Sequence, residues 1–368
     1  MIVISTYSIV LTLFLLANVI YGIALLLKIF AVNEMEFTEA TPKRFISILI
    51  PFRNEFSNLK KLIDSILSID YPLEQFEVIF IDDLSDDNGA MEIQRLMSGE
   101  HVKFQVIRNS TEYPGKKSAI ELGIIHAKGQ FIATTDADCQ IDSSWLSVID
   151  NYFQLGYHFL IGFVDYRLDG SLLSMLQWVE VNAINTLNLG AKRPLFCNGA
   201  NLAYRKSDFQ SLGGYRDNRQ IPSGDDTFLL DAFIHKFGTD KIAYLTTSSV
   251  KTEFEINTKA ILNQKIRWAS KWKMSGAKVL KIWAVGIFMY YLILLCTTPY
   301  LIIKAWDWVV MAFLMKLYVD YKMVQKSPTF KVFSVYKFIV CQFIYPLYVT
   351  FFSIASNFGK YNWKGRIQ

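Results

Sequence analysis

The sequence predicts an α/β protein: a mostly parallel sheet with helices on both faces, flanked by transmembrane helices. Three observations predict it. Apolar runs of strand length alternate with helical runs through the middle of the chain. Carboxylates gather where those strand-like runs end. Stretches free of charge, long enough to cross a bilayer, stand near both ends.

The elements follow in order. Ile2–Leu27 carries no charged residue, and a spanning helix needs about 20 predominantly apolar residues. No basic segment precedes it and no small-residue cleavage site follows, so a retained anchor over residues 1–30 is expected rather than a signal peptide. SILIPF (Ser47–Phe52) has the length and apolarity of a buried parallel strand. After it Leu59, Leu62, Ile63, Ile66 and Leu67 recur at helical spacing, and Pro72 closes that helix. FEVIFIDD (Phe76–Asp83) is a second strand, Ala90–Met97 a helix, Lys103–Arg108 a third strand and Lys116–Ala127 a further helix. QFIATTDAD (Gln130–Asp138) is a fourth strand with acids at its end. This βαβαβαβ order favours a parallel sheet covered on both faces, and in such sheets ligands bind beyond the carboxyl ends of the strands. Arg53-Asn54-Glu55, Asp82-Asp83 and Asp136-Ala137-Asp138 collect there.

The soluble domain is expected over residues 42–278 and the C-terminal transmembrane or interfacial helices over 279–368. Ile282–Ile303 and Phe338–Asn357 are further candidate spans. Trp306–Val319 is weaker, because Asp307 and Lys316 lie in it, and a hairpin return or an interfacial segment fits it equally well.

Charge is divided along the chain. The whole has 38 Lys and Arg against 33 Asp and Glu, but from Val250 onward the count is 17 against 4. Those basic residues flank apolar spans, so anionic lipid headgroups are the expected partner and nucleic acid is not. Lys28, Lys43 and Arg44 follow the first span, and Lys271, Lys273, Lys278 and Lys281 precede the second. By the positive-inside rule the middle domain is cytoplasmic, in an integral membrane protein of the inner membrane if the source is bacterial. The basic tail (Lys360, Lys364, Arg366) leaves the side of the C-terminus open. The four cysteines (139, 197, 296, 341) are far apart, with no metal-binding spacing and no call for a disulfide in a reduced compartment.

Taken singly, the motifs are ambiguous. Asp136 and Asp138 alternate, so on an extended chain both carboxylates face one point. A pair of oxygen ligands suits Mg²⁺ or Mn²⁺ shared with phosphates, whereas a lone D-x-D is commonly a polar turn. DDLSDDN (Asp82–Asn88) reads equally as a solvated turn. It fails as a calcium loop, because Leu84 would be the first ligand. PGKKS (Pro114–Ser118) lacks the earlier glycine of a phosphate loop, and Lys117 replaces its hydroxyl residue; a Gly-Lys at a helix start still meets anions. In SGDDTFLL, Asp225 and Asp226 supply both a helix cap and a candidate general base.

Together the order SILIPFRNE, VIFIDDLSDDN, PGKKSAIELGIIHAKGQFIATTDADC, CNGANLAYRKSDFQSLGGY, SGDDTFLL and QKIRW closely resembles the family 2 glycosyltransferases of the GT-A fold, from about Ser47 to Trp272. Flanking spans and Q-x-x-R-W make the chain similar to the membrane branch, which includes ceramide glucosyltransferases and cellulose, hyaluronan and poly-N-acetylglucosamine synthases.

The resemblance implies roles. Pro51, Glu55, Asp83 and Lys116 bind the nucleotide-sugar donor, Asp83 at the uracil, with Asp87 the last acid of that pattern. Asp136 and Asp138 meet donor and metal, Asp226 is the base with Asp225 beside it, and Asn198, Gly199 and Asn201 shape the donor-sugar and acceptor site. Gln264 and Arg267 share a helix face, with Trp268 next on the stripe. Arg267 offers forked donors to a diphosphate, and Trp268 a flat surface to the acceptor. Leu84 departs from the glycine of many relatives, and Gly224-Asp225 from the usual Thr-Glu or x-Glu. Neither removes a chemical group the reaction needs.

The reading is an inverting, metal-dependent transfer from a nucleotide sugar, a UDP-sugar on the resemblance, to a lipid or lipid-linked acceptor at the cytoplasmic face. A processive polysaccharide synthase is the alternative within enzymes, and a non-catalytic scaffold the alternative outside them. Few spans leave little protein for a polymer channel, and intact acids argue against the scaffold.

Overall fold

The computed structural model describes residues 5–32, 41, 44–110, 112, 114–191, 193–221, 224–254, 257–274, 278–331, 333–355, 362–363 and 366–367. The chain forms two compact units. One contains residues 1–34, 168–195 and 254–361; the other contains 35–167, 196–253 and 362–368. The expected 42–278 domain is therefore not one piece: residues 168–195 and 254–278 pack with the apolar helices.

The second unit holds the sheet. Strands β1 (Ile46–Phe52), β2 (Phe76–Asp82), β3 (Phe104–Arg108) and β4 (Phe131–Thr134) run parallel in the order β3-β2-β1-β4. Between them lie helices α1 (Phe56–Leu67), α2 (Gly89–Met97) and α3 (Lys116–His126). β5 (Gln140–Ile141), α4 (Trp145–Gln154), β6 (Phe159–Arg167), β7 (Leu202–Arg205), α5 (Lys206–Ser211), α6 (Thr227–Phe237) and β8 (Ile242–Glu253) complete it. The full order is β3-β2-β1-β4-β7-β6-β8-β5, with β7 antiparallel to both neighbours and β5 antiparallel to β8. The sheet is thus mixed beyond β4.

Every residue of β1 and β2 is buried, as in a strand covered on both faces. Alternate residues serve the two faces. Ile48, Ile50, Val78 and Phe80 pack with Leu59 and Leu62 of α1, Ile93 of α2 and Trp145 of α4. Leu49, Ile79 and Ile81 pack with Ala119 and Ile120 of α3, Phe209 of α5, and Leu229 and Phe233 of α6.

The other unit is helical: α7 (Thr6–Phe30), α8 (Leu172–Leu189), α9 (Thr258–Met274), α10 (Lys278–Lys304), α11 (Trp306–Gln325) and α12 (Val335–Ala355). Thr6–Phe30, Lys281–Lys304 and Val335–Ala355 are long and apolar enough to cross a membrane. The segment beginning at Trp306 is one continuous helix of 20 residues. Its buried charges, Lys316 and Asp320, neutralise one another inside the unit, while Asp307 is exposed. Lys316 Nζ donates to Asp320 Oδ2 and Gln342 Oε1, and Tyr21 Oη donates to Asp320 Oδ1 at 2.6 Å. Burying an ammonium or a carboxylate without such partners would be strongly unfavourable.

Candidate active site

The segments after β1 and β2 are tied into one structure. Arg53 Nη1 donates to the carbonyl oxygens of Asp83 (2.9 Å) and Leu84. The Asn54 N–H donates to Ser85 Oγ (3.1 Å), and Asn54 Oδ1 accepts from the Asp86 N–H (2.8 Å). Asp87 accepts from the backbone N–H groups of Phe56 (2.9 Å) and Gly89 (3.1 Å), each the first residue of a helix. These are donors a helix start leaves without an internal partner. Asp87 is an architectural acid. Leu84 has φ +63°, a conformation costing a side-chain-bearing residue about 1–2 kcal/mol. The Arg53 clasp on its carbonyl holds it there. Leu84 thus adopts the left-handed backbone that glycine takes without strain.

Asp83 is buried, and its Oδ1 accepts from the Gly115 N–H and from Asn109 Nδ2, both at 2.8 Å. Asn109 Nδ2 also donates to Ser118 Oγ at 2.8 Å. Gly115 has φ +140°, which glycine alone adopts without strain. Asp83 thereby fixes the turn that delivers Lys116, the first residue of α3. Pro51 is buried in β1; Glu55, also buried, precedes α1 and accepts from Asn58 Nδ2 at 2.6 Å through Oε2.

Lys116 is the centre of the arrangement. Its Nζ stands 2.6 Å from Asp136 Oδ1 and 3.2 Å from Asp225 Oδ2. Burial works against the ammonium charge, but Asp136, Asp225 and Asp226 outweigh it and hold the lysine well above its ordinary pKa. The lysine stays charged. Gly199 allows this approach: a Cβ there would lie 2.5 Å from Asp225 Oδ2 and 2.8 Å from Lys116 Nζ. The Gly199 carbonyl is anchored by Thr134 Oγ1 at 3.1 Å. Asp226 caps α6, its Oδ1 accepting from the Thr227 N–H (2.7 Å) and Oγ1 (3.1 Å). Lys116, Asp136 and Asp225 come from three separate segments of the chain and meet at one cation.

Three expectations change in detail. β4 stops at Thr134, and the Cys139 N–H bonds the Asp136 carbonyl at 3.2 Å, so Asp136 and Asp138 lie on a turn rather than an extended strand. Strand alternation does not orient them; Asp136 faces Lys116 while Asp138 is exposed. Asn201 is completely buried and structural. Its Oδ1 accepts from Trp145 Nε1 (2.9 Å) and its Nδ2 donates to the Phe163 carbonyl (2.8 Å). Gly162 makes room for it, since a Cβ there would sit 2.1 Å from Asn201 Cγ. Asn201→Leu should lower stability by on the order of 3 kcal/mol, two buried polar groups losing their partner, read as a fall in the unfolding midpoint. Asn198 Oδ1 accepts from the Ala200 N–H at 3.1 Å and shapes the same turn.

Gln264, Arg267 and Trp268 lie on α9, in the helical unit. Lys265 lies between Gln264 and Arg267 on that helix. Lys265 is buried and pairs with Glu180 of α8, which also accepts from Tyr348 Oη of α12 at 3.1 Å. The Trp268 ring lies against this ammonium, 4.5 Å from its centroid. The motifs give Lys265 no role, and Lys117 only the place of a phosphate-loop hydroxyl, though both leave a signal. Lys265 falls on the stripe Ile261–Lys265–Trp268, and Lys117 on Lys117–Ile120–Ile124, where apolar residues would be expected.

The comparisons bear on this geometry. The sequence model for glycosyl transferase family 2 matches residues 47–213, and that for glycosyl transferase family group 2 matches residues 133–321, about half the chain. The chain is a family 2 glycosyltransferase. Glycosyltransferase AglE of Haloferax volcanii is 32% identical over 102 residues, 28% of this chain and 33% of the relative. A beta-monoglucosyldiacylglycerol synthase of Trichormus variabilis is 27% identical over 239 residues, 61% of this chain and 48% of the relative. The glycosyltransferase thus spans about a third to a half of the length of these curated relatives. A solved mannosyltransferase, PcManGT from Pyrobaculum calidifontis in complex with GDP-Man and Mn²⁺, has a TM-score of 0.53 at 16% identity and covers 92% of this chain and 97% of its own. It supports the GT-A-like fold.

Proposed function

We propose that the glycosyltransferase moves a sugar, with inversion, from a nucleotide-diphosphate sugar to a membrane-lipid acceptor at the cytoplasmic face. The observation that carries this reading is the meeting of Asp136, Lys116 and Asp225 beside the capped Asp226. Transfer needs negative charge balanced on the departing diphosphate and a proton taken from the acceptor hydroxyl, and this cluster has groups for both. Asp226 is the base in this proposal: its Oδ1 accepts from Thr227 N–H and Oγ1, which restrains the carboxylate. Geometry of that kind makes general-base catalysis effective, typically by roughly 10²–10⁴-fold. Asp225 and Asp136 orient Lys116, whose ammonium is suited to a phosphate oxygen.

The residues fit a divalent metal. Asp136 and Asp138 would hold it by motif, and Asp136 already meets a cation, the Lys116 ammonium. Among the described residues no three His, Cys, Asp or Glu side chains form a complete cage. That suits Mg²⁺ or Mn²⁺, which take remaining ligands from substrate phosphates and water. Such an ion supplies charge neutralisation on the leaving diphosphate. Asp83 and Glu55 are assigned to the nucleotide, uridine by motif, and Gln264, Arg267 and Trp268 to donor and acceptor by motif as well.

A lipid acceptor is supported by three helices long and apolar enough to cross a membrane and by the similarity to a beta-monoglucosyldiacylglycerol synthase. Lys28 and Arg44 after the first helix favour a cytoplasmic sheet domain. In this proposal residues 1–30 are an anchor, the catalytic groups lie within 42–278, and 279–368 form membrane or interfacial helices.

The test uses full-length protein in native membranes with labelled UDP-glucose, UDP-galactose or UDP-N-acetylglucosamine. Label should enter a chloroform-soluble product, and chelation with EDTA should stop it until Mn²⁺ or Mg²⁺ is restored. Label in high-molecular-weight polymer would favour the processive synthase instead.

A further inference from the structure

One buried charge has no part in the scheme above. Lys117 follows Lys116 on α3 but points elsewhere, and it is only 4% exposed. Its Nζ donates to the carbonyl oxygens of Asn218 (2.8 Å) and Ile221 (3.0 Å). The same ammonium lies 4.9 Å from the centroid of the Phe228 ring and 5.8 Å from that of Tyr215. One turn further along α3, Glu121 Oε1 accepts from the Tyr215 N–H (2.9 Å) and Oε2 from Arg219 Nη2 (2.6 Å). Gly224 has φ +83°, and a Cβ there would sit 2.6 Å from Phe228 Cε2. The ring is therefore seated tightly on the turn that carries Asp225 and Asp226.

We propose that Lys117, supported by Glu121, is a positioning residue that sets the orientation of the Asp225–Asp226 turn. The ammonium grips the chain on both sides of that turn: carbonyls at 218 and 221 before it, and the Phe228 face after it. Burying an ammonium is costly unless several partners compensate. An apolar side chain would fill the same stripe of α3 at lower cost but would take a charged donor from both carbonyls, leaving the Asn218 oxygen only the turn bond from the Ile221 N–H at 3.0 Å. The charge selects one loop conformation rather than adding packing. Because Lys116 and Lys117 are consecutive, the helix that brings the cation to Asp136 and Asp225 also holds the loop that presents the base.

This inference rests on Asp226 as the base, so the experiment includes Asp226→Asn in parallel. Full-length Lys117→Met, Lys117→Arg and Glu121→Gln are purified in detergent. Each is assayed for unfolding midpoint, for UDP binding by calorimetry with Mn²⁺, and for kcat and the pH profile of transfer. Displacing a reacting group by about 1 Å costs roughly 10²-fold. Lys117→Met is expected to lose about that much in kcat, keep its UDP affinity, and shift the acid limb of its pH profile. Lys117→Arg should recover part of kcat. Glu121→Gln should show a smaller loss of the same kind and carries the test if Lys117→Met does not fold. A folded Lys117→Met with normal kcat, or one losing UDP affinity in step with kcat, overturns the positioning role. With Asp226→Asn inactive, such a result leaves the base assignment standing. Full activity in Asp226→Asn overturns both.

Discussion

Asp226→Asn is expected to abolish sugar transfer while leaving nucleotide binding and the fold in place. Asparagine caps helices as well as aspartate does, so the bonds from Thr227 N–H and Oγ1 to the side-chain oxygen can persist. Only the ability to take a proton is removed. The loss should be roughly 10²–10⁴-fold in kcat, measured at saturating donor, with UDP affinity and unfolding midpoint close to the parent's. Asp225→Asn is the contrasting case. Asp225 Oδ2 is within 3.2 Å of Lys116 Nζ, so weakening it should disturb donor binding as well as turnover. If Asp225→Asn loses only kcat and Asp226→Asn only donor affinity, the two acids exchange roles. An Asp226→Asn enzyme at full rate would remove that residue from the chemistry.

Gly199→Ala should be nearly as damaging for a different reason. The added methyl would collide with Asp225 Oδ2 at 2.5 Å and Lys116 Nζ at 2.8 Å. Both are ends of flexible side chains, and Gly199 is not among the glycines with left-handed backbone. The chain can therefore accept alanine without unfolding, but only by opening the ion pair. Lys116 and Asp225 would lose their geometry, and transfer should fall by about 10²-fold or more, with an unfolding midpoint near the parent's. A variant that unfolds instead would mean the backbone cannot hold its place against the methyl. A variant with full activity would mean that the Lys116–Asp225 contact is dispensable.

The long apolar helices were readable because crossing a bilayer demands an uninterrupted apolar run, which composition reveals without any partner. The first four strands were readable for a similar reason: Ile48, Ile50, Val78 and Phe80 are buried by any sheet covered on both faces. The acids were visible as types and spacings, yet their functions were not separable in the sequence. Asp83, Asp87, Asp136 and Asp226 are alike as letters. One locks a glycine turn, one starts two helices, one meets an ammonium and one caps a third helix. The resemblance puts Asn201 in the segment shaping the donor-sugar and acceptor site, and its side chain is a buried link between Trp145 and Phe163. Such differences depend on neighbours tens of residues away.

Periodicity and residue chemistry alone determined the alternating strands and helices, the apolar spans, and the gathering of carboxylates at strand ends. Each follows from local geometry or from the solvent a segment needs, so no long-range knowledge was required. Only the tertiary structure decided that the sheet turns mixed after β4, and that residues 168–195 and 254–278 join the helical unit. It alone made Lys116 the point where Asp136 and Asp225 meet. Those outcomes depend on which buried charges find partners across the fold, and an isolated charge carries no record of its partner.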